Sequence, residues 1–115
     1  MKLSNRFSNI DKIRVWGDNP YSALSGSNNN CSIHHIYSTS VPYANSILNG
    51  IMLDENEHRT ADGHNQYVMG DERRIKYLFL AIRQAIKSGY QFKQRDYKFL
   101  EAVKLDYLKT LEMWG

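Results

Sequence analysis

Apolar residues fall into short runs in the first half of the chain and into long helical periods in the second. Ile10 to Trp16 is a brief apolar alternation closed by Gly17-Asp18-Asn19-Pro20, a strong turn signal. Tyr21–Leu24 and Cys31–Tyr37 both read as strands, the second rich in β-branched and aromatic residues. Between them Ser25-Gly26-Ser27-Asn28-Asn29-Asn30 suits a tight turn, because Gly and Asn tolerate positive φ, so the two strands predict a hairpin. Ser38–Ser46 reads as a loop containing Pro42, and Ile51-Met52-Leu53 as a further strand. Asp54 and Glu57 have the spacing of a capping box, so a short helix begins there and ends at Gly63.

The second half is simpler. Ile75, Leu78, Phe79, Ile82, Ala85 and Ile86 recur at helical spacing, which predicts a helix over about 71–88. Asp71 and Glu72 suit its N-terminus, Lys87 its last turn, and Gly89 its C-cap. A last helix is expected over about 95–113, with Leu100, Val103, Tyr107, Leu111 and Trp114 on one face. Strands followed by helices predict an α+β fold, and 115 residues suffice for one domain.

Composition narrows the function classes. Hydrophobic residues make up 42% of the chain and charged ones 23%, an ordinary globular balance. One cysteine excludes an intramolecular disulfide framework and a four-cysteine zinc ribbon. The longest apolar runs are far short of the ~20 residues of a membrane span. The N-terminus has no apolar stretch resembling a signal peptide. The expectation is a soluble, cytoplasmic protein, monomeric or homodimeric, without a membrane partner. The net charge of +3 permits an anionic partner, and its distribution says more than its total. Residues 1–57 carry four basic and five acidic side chains, and residues 58–115 carry eleven and seven. All four histidines, His34, His35, His58 and His64, lie between positions 34 and 64.

That histidine zone carries the candidate chemistry. His34 and His35 end a predicted strand, Asn49 introduces the next, and His58 and Asp62 share a face of the short helix at a spacing of four. Cleaving a phosphodiester needs an activated water, a base and positive charge near the leaving oxygen. An imidazole with a pKa near ~6.5 suits the base. A divalent ion held by imidazole and carboxylate suits the charge.

His34-His35-Ile36, then Asn49-Gly50-Ile51-Met52-Leu53, then His58 nine residues after Asn49, resemble the HNH endonuclease motif of the ββα-metal (His-Me finger) superfamily. The resemblance covers about residues 22–64 and implies a ββα-metal module, with an N-terminal segment before it and two C-terminal helices after it. It implies His34 and His58 as metal ligands, His35 as the general base, and Asn49 as a structural residue orienting that base. Many members carry another histidine four residues after the helix ligand. Here Asp62 stands at that position, with His64 as the competing third ligand. The paired CxxC zinc knuckles of many HNH proteins are absent.

The implied activity is metal-dependent hydrolysis of DNA, RNA being an open alternative. Magnesium or manganese is the expected ion, with zinc or nickel as further candidates. Arg59, Arg73, Arg74 and Lys76 are the candidate phosphate contacts, because they lie beside or soon after the ligand helix. A rival reading is a non-catalytic, zinc-stabilised module binding nucleic acid or protein. It would use Cys31, His34, His58 and His64, but Cys31 and His34 would face opposite sides of a strand. Asn49-Gly50, taken alone, is an ordinary turn dipeptide.

Overall fold

A computed structural model describes residues 6–17, 19–57 and 71–114. His58, Arg59, Asp62, Gly63 and His64 therefore lie outside the described residues. The fold is α+β, with a radius of gyration of 13.2 Å, close to the ~13 Å of a compact chain of this length. Helix α1 (Asn9–Trp16) leads to strand β1 (Ser32–His35), and a 3-10 turn (Ile47–Asn49) runs straight into strand β2 (Gly50–Leu53). Helices α2 (Asp71–Lys87), α3 (Gln94–Ala102) and α4 (Lys104–Glu112) follow.

The two strands pair antiparallel, with Ser32 opposite Leu53 and His35 opposite Gly50. This differs from the expected hairpin. Residues 21–25 form no strand but a turn, in which Ser22 Oγ accepts hydrogen bonds from Leu24 N and Ser25 N. A serine that can satisfy the backbone locally competes with a ladder for it. Ala23 N donates to Met52 O at 2.9 Å, so the turn lies against β2 rather than β1.

The alternation at Ile10–Trp16 folds as a helix, capped by Ser8, whose Oγ accepts from Asp11 N. Its burial inverts the expectation. Ile10 and Ile13 are 72% and 71% exposed, whereas Asp11 is buried with Val15 and Trp16. Asp11 can turn inward because Lys93 Nζ reaches its Oδ1 at 2.7 Å, and Arg95 lies 3.6 Å from Oδ2. A buried carboxylate is tolerable when cations meet it.

α2 is the central helix, in contact with α1, α4, the 3-10 turn and β2. Leu78, Ala81, Ile82 and Ala85 form its inward stripe, and Ile86 is left exposed. Where one last helix was expected, the chain breaks at Val103 (φ −112°, ψ 33°) into α3 and α4. No Gly or Pro marks the break. Its cause is packing: α3 rests on the 3-10 turn and α4 on α2, two partners that one straight rod would not reach together.

Candidate functional site

Side chains alternate across a strand, so His34 and Ile51 face one side of the ribbon, and His35 and Gly50 the other. His34 is buried, at 2% exposure, on the core side. His35 is half-buried on the opposite side, where the Phe7 ring stacks on it at 4.2 Å between centroids and 18° between planes. Gly50 makes that stack possible. A Cβ there would lie 2.7 Å from Ile33 Cγ2 and 3.0 Å from Phe7 Cζ. The backbone at Gly50 is extended (φ −114°, ψ 134°), so this glycine serves close approach rather than a turn.

Asn49 is fully buried, and its side chain spans the base of the 37–49 loop. Its Oδ1 accepts from Tyr37 N at 2.7 Å, and its Nδ2 donates to Ala44 O at 2.9 Å and Tyr37 O at 3.3 Å. Its backbone carbonyl accepts from Ile36 N at 2.8 Å. The amide thus sets the path of the chain leaving His35, through the main chain two residues on.

Beyond β2 the expected capping box is present in both directions. Glu57 N donates to Asp54 Oδ1 at 2.8 Å, and Asp54 N to Glu57 Oε1 at 2.9 Å. Residues 55–57 are helical and directly precede His58 in the chain. Ser22 Oγ also donates to Glu57 Oε1, at 2.5 Å, tying this helix start to the turn before β1. Of the proposed ligands, His34 alone lies among the described residues. Among those residues no group of three or more His, Cys, Asp or Glu comes together to hold a metal ion.

Cys31 precedes β1 and donates its thiol to Ser27 O at 3.0 Å. Burial pushes the thiol above its ordinary pKa, and the charges of Asp54 and Glu57 push it the same way. It is held as a neutral thiol, the less reactive form.

Arg73 and Lys76 stand exposed near the start of α2. Arg74 is engaged elsewhere: its Nε lies 3.7 Å from Asp106 Oδ2, and its guanidinium 6.0 Å over the Tyr37 ring. Tyr37 Oη donates to the same Asp106 oxygen at 2.7 Å. Two other cations, Arg6 and Lys12, line an open cleft of about 620 Å³ with Phe7, Asn9, Ser32 and His35. They sit more than twenty positions before His35, so no local spacing marks them, and only the packing of the N-terminal segment on the ribbon brings them near. A larger cavity, about 730 Å³ between α1, α2 and the 19–26 segment, has no histidine among the described residues of its lining.

No protein-family model matches the chain, and no curated protein and no solved structure is significantly similar to it.

Proposed function

We propose that the chain is a metal-dependent endonuclease of the HNH type that hydrolyses phosphodiester bonds in DNA. The observation that carries this reading is the antiparallel pairing of the His34-His35 strand with the strand behind Asn49, followed by a capped helix start leading to His58. That order of elements supports a ββα-metal module, and the hydrogen bonds of Asn49 to Tyr37 N and Ala44 O support a structural role for it.

In this mechanism His35 accepts a proton from water as the water oxygen attacks phosphorus, and the bridging P–O bond breaks as the leaving oxygen takes a proton from a second, solvent water. His34, with His58 and either Asp62 or His64, would hold a divalent ion, magnesium or manganese, with zinc or nickel as the further candidates. When bound, that ion supplies Lewis acidity for the developing charge. Asn49 orients His35 by holding the backbone after it. Arg59, Arg73 and Lys76 are the proposed contacts to flanking phosphates.

A second reading is favoured by one observation: His34 and His35 face opposite sides of the ribbon. A non-catalytic, zinc-stabilised module binding nucleic acid or protein would use His34, with Cys31, His58 and His64, and leave His35 without a metal role.

Nicking of supercoiled plasmid, with and without chelator, separates the two. The nuclease nicks DNA with magnesium or manganese and stops with chelator. His35→Ala lowers the rate by roughly 10²–10⁴-fold while metal content and fold persist. Undiminished nicking by that variant would sink the mechanism. Tightly bound zinc, no nicking, and unfolding on zinc removal would establish the second reading instead.

A further inference from the structure

We propose that the cleft on the His35 face of the ribbon is a binding site for the phosphodiester backbone of nucleic acid, with Arg6 and Lys12 contacting its phosphates. Its volume, about 620 Å³, falls within the ~300–1,000 Å³ of ligand-binding clefts. Among the described residues its charged lining is Arg6 and Lys12, with no acidic side chain. A cleft lined by one sign of charge concentrates ligands of the other. Asn9 and Ser32 add neutral donors, while Phe7, Ile33 and Met52 give an apolar floor.

The cleft is a built site of two chain segments. The Phe7–His35 stack fastens residues before α1 to β1, and the bare Cα of Gly50 leaves room for the Phe7 ring. An anion held there lies against His35, which lines the cleft. The nucleic acid would therefore approach over the N-terminal segment that carries Arg6 and Lys12. The role of His35 in cleavage rests on the proposed nuclease function, but binding through Arg6 and Lys12 does not require metal.

The test is fluorescence anisotropy of a labelled single-stranded thymidine oligonucleotide, titrated in excess chelator over a series of salt concentrations. Arg6→Ala and Lys12→Ala each remove one phosphate contact, so affinity falls roughly five-fold at about 0.1 M salt, and the log–log salt slope becomes shallower by about 0.7 per variant. Lys109→Ala, an exposed cation on α4, leaves both unchanged. Melting curves confirm that the variants fold. Unchanged affinity in Arg6→Ala and Lys12→Ala, or an equal loss in Lys109→Ala, would overturn the proposal. So would an equally tight fit for labelled polyglutamate, which marks a site for anionic peptide. Because chelator silences cleavage, failure of binding here and failure of plasmid nicking are separate results.

Discussion

The amide of Asn49 shows how much one buried polar side chain can do. It meets three main-chain groups of the 37–44 segment, each of which would otherwise lack a ladder partner. Replacing it with alanine strands the Tyr37 N–H and the Ala44 carbonyl, and each stranded buried group costs about 1–3 kcal/mol. Asn49→Ala should therefore lose about 2–4 kcal/mol in urea unfolding, and a loss below about 1 kcal/mol would refute the clamp. Asp96 does similar work at the start of α3. It accepts from Ser46 Oγ at 2.6 Å, Tyr90 Oη at 2.5 Å and Lys93 N at 2.7 Å. The asparagine stood out in the sequence through its motif, whereas the burial of Asp96 had no local sign. An aspartate three residues after Lys93 reads as a helix-start charge, and only the loop bearing Ser46 turns it into a core residue.

Among the elements, the helix ends were the most legible, because a cap is chemistry between near neighbours. Gly89 was expected to close α2, and it adopts φ +77°, with Gly89 N bonded to Ile86 O and Tyr90 N to Ala85 O. A Cβ at Gly89 would meet nothing within 4 Å. Gly89→Ala should thus cost only left-handed backbone strain, about 1–2 kcal/mol, read as a melting temperature several degrees lower. An unchanged melting temperature would show that the α2 end relaxes to another conformation. The Asp54–Glu57 box belongs to the same class of legible signal. The break at Val103 does not, since the apolar face runs through it and packing on two different partners makes it. Strand partnership was likewise hidden: the sequence showed strand-like segments on both sides of the 25–30 turn, but not that Ser22 would bond its own backbone.

At the scale of the whole molecule, two buried tyrosines donate to carboxylates, one of them across most of the chain. Tyr37 Oη donates to Asp106 across 69 positions, and Tyr90 Oη donates to Asp96. Burial raises the pKa of both phenols above the ordinary value, and the hydrogen bond to a carboxylate raises each further. The unfolded chain then loses these protons first as pH climbs past ~10, so the stability they contribute is complete below that pH and declines above it. Each phenol should lower stability by about 1.4 kcal/mol per pH unit in that range. Tyr37→Phe and Tyr90→Phe should each flatten the alkaline decline in urea-unfolding curves, and an unaltered slope in both would exclude these phenols as its source.

Sequence by itself determined the α+β mixture, the strand segments around His34 and Met52, the span of α2 with its closing Gly89, and the Asp54–Glu57 capping box. Each of these depends on residues within a few positions of one another, where periodicity and backbone geometry act directly. Tertiary structure decided which strands pair, that His34 turns to the core while His35 turns to the cleft, and that Asp11 rather than Ile10 goes inward. It also decided that Arg6 and Lys12 stand beside His35. Those outcomes depend on partners tens of residues away. Burial of a charge or aim of an imidazole is settled by the groups that arrive to meet it, and the chain records such arrivals only once it has folded.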